Sequence, residues 1–506
     1  MFKKMSKENI FADIRAIYIW IYIAFIGLME ATPICVWTEG ASWPSLIYNG
    51  LAVGGALLLV WDFFTRRVLF KAKYCGILIL FLAVTVISCV LNMEYGIADN
   101  VKTLVWSCIQ IFLLAAVDTD LPGVENEKRF RLVMHGLSVL WGIGVLVSIG
   151  MFCVFHQGVY YLEGYARVTY EGFCESRLYG VFLDPNYAAM FALVVLLFST
   201  AMLFRKTAAW EKVFYGISIF INFIYIILSG SRTVEISMYL CVVLMGLWLA
   251  WNWLRGKSRL LLRILAAVLA AVVCLGVTYA LFTGGKKALS YIPTLYRENV
   301  QSDDDDPITK PGDKDPTHEG GKDHLSGINM NRPDVVYSDD VSNNRIDIWT
   351  DYIKALPETS FFGTSPRNTI AFMADHFEDL YVLRAGYGPH NAYLILFVCT
   401  GYIGGLLAMA WLVLVVVEIL SYLFRKRRQM DATYYQVLFY TLAMVMFAIC
   451  AMSYAIIFFN NMLVTLMFWF LLGHTRALIC QAEPERYKKR PLPYRLAAAI
   501  FKKREK

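Results

Sequence analysis

A histidine and an asparagine stand at the head of an apolar run in "GYGPHNAYLILF", where Gly386, Gly388 and Pro389 punctuate the chain before His390 and Asn391. Imidazole, with an unperturbed pKa of about 6.5, is a natural general base for a hydroxyl. It can equally cap the helix that follows. Two arginines are candidate partners. Arg232 sits in "LSGSRT", where Gly230 and Ser231 break the chain between two apolar runs. A guanidinium beside the backbone N–H groups of a helix start suits phosphate; it can also simply snorkel to lipid headgroups. Arg345 follows Asn343 and Asn344 in "SNNRIDIW". If either asparagine caps the next helix, Arg345 falls in its first turn, where the macrodipole disfavours a cation. That placement hints at an anionic ligand, with an ion pair to Asp347 or Asp351 as the alternative. Asp184-Pro185-Asn186, in "FLDPNYAAM", is a fourth candidate. Polar groups in apolar spans are costly and tend to be functional, although Asp-Pro-Asn can also be a plain kink. Arg167 and Arg177, in the preceding loop, are possible secondary anion contacts.

Other chemistries find no motif. No phosphate-cradling loop of the GxxxxGK type and no His/Cys cluster with zinc spacing occurs. The acidic pair Asp118 and Asp120 reads as a solvated loop. Nothing marks a nucleic-acid surface, and no cofactor or metal is expected.

These residues must be held by a membrane bundle. The chain is 58% hydrophobic and only 17% charged, against about one quarter charged in soluble domains. A helix that crosses a bilayer needs about 20 mostly apolar residues. Twelve runs qualify, near 16–37, 45–64, 74–93, 101–117, 134–155, 178–204, 213–230, 233–253, 262–282, 390–423, 433–453 and 456–474. The expected fold is therefore all-α, a polytopic transmembrane helix bundle. The basic N-terminal stretch is too polar for a cleaved signal, so the first span is expected to stay. The 11 cysteines, odd in number and scattered through the spans, form no disulfide framework.

Lysine and arginine cluster in alternate connections, in "TRRVLFKAK", "ENEKRFR", "LRGKSRLLLR" and "FRKRRQ". With the basic N-terminus and the basic tail 475–506 they define a cytoplasmic side. Arg232, Arg345 and His390 fall on the opposite, extracytoplasmic side. The organisation is then nine spans in 1–282, an extracytoplasmic loop 283–389, three spans in 390–474, and the tail. The loop holds 18 Asp and Glu against 11 Lys and Arg. Its part 301–342 is acidic and poor in apolar residues, and reads as disordered spacer. In 343–385, Ile346, Trp349, Ile353 and Leu356 recur at helical spacing and predict amphipathic helices on the outer membrane face.

"SGSRT", "NNRIDIWTDYIKALPETSFFGTSPRN" and "GPHNAYLILFVCTGYIGGL", together with "FLDPNYAAM", resemble the O-antigen ligase/polymerase family of bacterial integral-membrane glycosyltransferases in order and topology. The likeness runs from about residue 178 to 423; the earlier spans match only as spans. The acidic insert 301–342 departs from the usual pattern and bears on the acceptor rather than the chemistry.

The resemblance implies a metal-independent, inverting transfer of a glycan from undecaprenyl diphosphate to an acceptor hydroxyl, on the outer face of the bacterial cytoplasmic membrane. The acceptor would be a glycan, a lipid or a wall polymer. By position, Arg232 and Arg345 would bind the diphosphate and His390 would take the proton. Asn391 would support the histidine or the acceptor, with Ser231, Asp184, Asn186, Arg167 and Arg177 as further supporting residues. Polymerases and ligases share these motifs. Two other readings are a flippase of the lipid-linked glycan and a non-catalytic polysaccharide assembly protein. A flippase predicts midplane charges and inverted repeats; neither is evident.

Overall fold

The computed structural model describes residues 7–117, 123–162, 168–255, 259–293, 327–330, 344–359, 361–487 and 491–495. Arg167, the Asp118/Asp120 pair and nearly all of the acidic insert 301–342 lie outside the described residues.

The chain is an all-α integral membrane bundle. Helices α1 (Lys7–Met29), α3 (Trp43–Thr65), α4 (Cys75–Leu91) and α5 (Ala98–Ile109) are followed by α6 (Gly123–Cys153), α7 (Pro185–Leu203), α8 (Ala209–Ser229), α9 (Arg232–Trp253) and α10 (Leu260–Ser290). A short α2 (Thr32–Trp37) follows α1. After the long loop come α14 (Ala392–Lys426), α15 (Ala432–Cys450) and α16 (Leu463–Ala482). Setting α2 aside, these twelve helices correspond one to one with the twelve apolar runs. Ten of them are long and apolar enough to cross a membrane. The other two are α4 and α5, the latter prolonged by a π-helical turn, Gln110–Leu114.

The bundle has a centre and a rim. The apolar stretch of α16 is wholly buried, whereas only 6% of that of α10 is. Leu261, Leu265, Leu269 and Val272 of α10 are exposed, as expected of a helix that meets lipid rather than protein.

Several boundaries differ from the expected ones. The first span starts earlier and ends at Met29, because the chain breaks at Glu30 and Ala31 ahead of Pro33, at the start of α2. The sixth begins only at Pro185. Residues before it form a three-stranded antiparallel sheet, β1 (Gln157–Tyr160), β2 (Thr169–Cys174) and β3 (Arg177–Gly180). Asp184 caps α7 by accepting from the N–H groups of Asn186 and Tyr187, so Asp-Pro-Asn is a helix start and not a kink. The ninth span runs on to Ser290, eight residues past 282. The twelfth is shifted: residues 451–462 are non-helical, and the helix then continues to Ala482. Residues 475–482 are thus not a basic tail but buried helix, where Arg476 pairs with Glu418 at 3.0 Å.

The loop segment carries α11 (Arg345–Ala355), α12 (Thr369–His376) and α13 (Tyr381–Ala385). Ile348, Tyr352 and Ala355 pack with Phe372, Met373 and Val382 into a small core of their own. The buried stripe includes Ile348 and Tyr352, while Ile346 and Ile353 are exposed.

The Phe-Phe-Gly turn does more than lie on the surface. It inserts against a kink in α14 at Gly401 (φ 63°, ψ −171°). There the N–H groups of Thr364 and Ser365 donate to the carbonyls of Val398 and Cys399, at 2.9 and 3.0 Å. Ser88 of α4 donates to the Cys399 carbonyl and accepts from the Ser365 N–H, each at 2.9 Å. The turn thereby satisfies backbone groups that the kink frees, as apolar surroundings demand.

A Cβ on Gly401 would fall 2.0 Å from the Phe361 carbonyl oxygen, and one on Gly363 would fall 2.4 Å from the Gly401 nitrogen, both at positive φ. Backbone strain of that kind costs roughly 1–3 kcal/mol before any clash. Gly401→Ala and Gly363→Ala should therefore each lower the thermal midpoint of the detergent-purified protein by several degrees. Gly216→Ala, in α8 with nothing within 4 Å, should not. Equal midpoints for all three would show that the turn and kink do not pack this way.

Candidate functional site

The site residues gather where α7, α9, α11 and α14 begin, at one end of the bundle. Arg177, on β3, is the buried link. Its Nε donates to the Ser229 carbonyl at 2.9 Å and a terminal nitrogen donates to the Asn186 side-chain oxygen at 2.7 Å. One guanidinium thus joins the sheet, the end of α8 and the start of α7.

From Ser229 the chain turns into α9. Gly230 takes the left-handed conformation (φ 60°) that closes α8, and Ser231 is the extended residue before α9. Ser231 is buried, and its N–H donates to the Ser229 hydroxyl at 3.3 Å, while its own Oγ is unsatisfied. Arg232 is then the first residue of a 22-residue helix. It makes no ion pair among the described residues. It lines a cleft of about 580 Å³ between α9 and α10, together with Lys286, Lys287 and Glu235. Glu235 accepts a hydrogen bond from Tyr239 at 2.6 Å. The cleft is net cationic, and the partial positive charge of the α9 N-terminus adds to it. Lys286 and Lys287 share this cleft with Arg232.

Arg345 begins α11, as the spacing predicted. The residue before it, Asn344, is left-handed (φ 60°) and makes no side-chain cap bond; Asn343, the other expected cap, lies outside the described residues. The alternative ion pair is not formed among the described residues: Arg345 pairs with no carboxylate, and Asp351 lies 3.9 Å from Lys354 instead. Arg345 lies over the ring of Tyr454, 5.2 Å from its centroid. A cation over an aromatic face is attracted by the ring quadrupole. Tyr454 in turn packs against Tyr187 at 5.4 Å between centroids.

His390 is tied to the same place by two routes. The Ala392 N–H donates to the Ala451 carbonyl at 2.8 Å, so the start of α14 is hooked to the segment that carries Tyr454. Two turns after Arg345, the Tyr352 hydroxyl donates to the Tyr387 carbonyl at 2.8 Å. The Tyr387 ring stands edge-on to the His390 ring, 5.8 Å between centroids. His390 has φ 46°, a conformation uncommon outside glycine. Asn391 does the capping: its side-chain oxygen accepts from the N–H groups of Tyr393 and Leu394 at 3.0 and 3.1 Å. The histidine is therefore not the cap.

Sequence reasoning missed several residues here. Lys286 and Lys287 fell beyond the expected end of the ninth span. Tyr454 fell in the short gap expected between the last two spans, whereas 451–462 is irregular chain with Ile457 at φ 82° and Phe459 at φ 55°. Glu30 was hidden within the first apolar run. It accepts from the Leu463 N–H at 2.7 Å. Removal from bulk water pushes its carboxyl up to about 7; the Leu463 N–H opposes that rise and the nearby Asp184 carboxylate adds to it. Glu30 and Asp184 both line a second cavity, of about 790 Å³.

Comparison with curated proteins finds no match. A family model described as O-antigen ligase matches residues 217–409, a stretch that holds Arg232, Arg345, His390 and Asn391. Across those residues the chain is similar to the O-antigen ligase family, which supports a membrane glycan-ligating or glycan-polymerising function in general terms.

Proposed function

We propose that the protein is a glycosyltransferase that moves a glycan from undecaprenyl diphosphate to an acceptor hydroxyl on the outer face of the bacterial cytoplasmic membrane, with both chain termini on the cytoplasmic side. The observation that carries this reading is the cleft of Arg232, Lys286 and Lys287 at the start of α9. It lies beside α10, the helix least covered by protein, so a lipid-borne anion can reach it from the bilayer. A diphosphate has the charge and oxygen density that such a set of donors matches.

In this reading the acceptor hydroxyl attacks the anomeric carbon from the face opposite the diphosphate. The new C–O bond forms as the bond from that carbon to the phosphate oxygen breaks, and the configuration inverts. His390 accepts the hydroxyl proton, and undecaprenyl diphosphate leaves with the electron pair. Arg232 and Arg345 stabilise charge where it develops, an electrostatic role that needs no metal when fixed cations are already in place. Asn391 holds the start of α14 and so the backbone that presents His390. Asp184 and Asn186 position α7, and Arg177 positions both Asn186 and the Ser229 turn that leads to Ser231 and Arg232. The acidic insert before α11 bears on the choice of acceptor.

The test is incubation of the purified protein with undecaprenyl-diphosphate glycan and analysis of the product. Transfer should persist in chelator. His390→Ala should slow it at least about 100-fold, the lower end of what a positioned base contributes. Arg232→Ala and Arg345→Ala should each cost roughly 100-fold or more. Normal product from both His390→Ala and Arg232→Ala, at normal protein level, would sink the reading.

Charge in the cleft can be probed separately. Lys286→Ala and Lys287→Ala should raise the donor KM several-fold while kcat changes less, because they bind the ground state and transition state alike. An unchanged donor KM in the double variant would remove the lysines from the donor site.

A further inference from the structure

Beside the start of α7 lies the cavity of about 790 Å³ lined by Glu30, Glu175, Asp184, Tyr170, Tyr187 and Trp141, among others. Its size falls within the roughly 300–1,000 Å³ typical of small-ligand sites. Its character is the reverse of the cationic cleft. Three carboxylates line it, and among the described residues no lysine or arginine does.

The hydrogen bonds within the cavity wall are instructive. Glu30 commits one oxygen to the Leu463 N–H. Asp184 commits one oxygen to the N–H groups of Asn186 and Tyr187. The second oxygen of each has no protein donor among the described residues. The free oxygen of Asp184, and that of Glu30 when ionised, can only accept, so these positions call for ligand donors. The Tyr187 hydroxyl likewise has no protein partner among the described residues. Trp141, held by the Asn222 side-chain oxygen at 2.9 Å and stacked on Phe182, supplies a rigid aromatic wall, as do the tyrosine rings. Hydroxyl donors on a compact body with apolar faces are the chemistry of a sugar.

The cavity also adjoins the reaction site. Tyr187 packs on Tyr454, the residue under Arg345. Asn186, held by Arg177, is two residues from Asp184.

We propose that this cavity seats the acceptor as a saccharide, with Glu30, Asp184 and Tyr187 taking its hydroxyls. The inference rests on the transfer reading above and adds to it the acceptor's chemical class and place. The cationic cleft takes the donor's diphosphate, and the acidic aromatic cavity takes an uncharged sugar.

The test uses the full-length protein in nanodiscs, with undecaprenyl-diphosphate glycan as donor. The acceptor probe is the phosphate-free oligosaccharide released from that donor by mild acid. Glu30→Gln keeps an oxygen for the Leu463 N–H but loses the charge. It should raise the acceptor KM about tenfold, the scale of one hydrogen bond to a charged group, and leave the donor KM within about twofold. Tyr187→Phe should do the same while keeping its ring on Tyr454, and it stands in if Glu30→Gln does not fold. An acceptor KM unchanged in the folded variants overturns the cavity's role and leaves the transferase reading intact. If the parent protein makes no product, that reading fails instead, and calorimetric titration with the oligosaccharide decides the cavity. Binding weakened about tenfold by either variant upholds a saccharide site; absent or unchanged binding overturns it.

Discussion

The buried guanidinium of Arg177 is the constraint on which the site depends. A charge taken out of water is tolerated only where hydrogen bonds replace its hydration. Here they come from the Ser229 carbonyl and the Asn186 side chain. Those two partners lie at the end of α8 and the start of α7, and Arg177 itself is on β3. Satisfying one side chain therefore fixes the sheet against two helix ends. The α8–α9 turn, and with it Arg232, inherits that position. A lysine could not do this, since a point charge on a flexible stem lacks the planar fork that reaches both acceptors.

The membrane imposes the second constraint. Irregular backbone at membrane depth survives only where protein or a cavity satisfies its polar groups. The chain uses this licence twice. The 361–365 turn satisfies the Gly401 kink, and the 451–462 segment carries Tyr454 through the bundle. The latter passes through positive φ at Ile457, a β-branched residue for which that conformation is unusual. The Ile457 carbonyl is held by the Trp469 indole N–H at 2.7 Å, and the Asn460 carbonyl by Gln110 at 2.8 Å. Strain of this sort persists where packing over-determines it, and it tends to collect at functional sites.

Much of this was legible in the sequence, for a physical reason. Twenty apolar residues in succession have one stable use, and twelve such runs gave the twelve helices. Arg232, Arg345 and His390 stood out because each is polar at a break between apolar segments. What stayed hidden was hidden by the same logic. Glu30 lay inside a run that hydropathy averages over, so the break at Ala31 was lost. Lys286 and Lys287 ended the ninth span on paper, yet α10 continues to Ser290, since long cationic side chains at a helix end can reach polar surroundings. Residues 451–462 are apolar without being helical: apolarity reports depth in the membrane, and hydrogen-bond geometry decides conformation. The small sheet escaped because its strands are four to six residues long and its partners come from tertiary pairing.

The chain segments that Arg177 joins lead into two cavities of opposite sign. Toward Gly230 lies a cleft with Arg232 and two lysines; toward Asp184 lies a cavity walled by carboxylates and aromatic rings. An enzyme that joins two glycans must tell a donor from an acceptor although both are sugars. The feature that distinguishes them is the diphosphate, present on one and absent from the reacting end of the other. A pair of compartments that differ in charge sorts on that feature alone, and like-charge exclusion contributes as much as attraction. The sorting also fits an inverting displacement, in which nucleophile and leaving group occupy opposite faces of the anomeric carbon. Arg177 holds Ser229, next to Gly230 of the cleft, and Asn186, two residues from Asp184 of the cavity, so one buried side chain ties together the chain segments that lead into both.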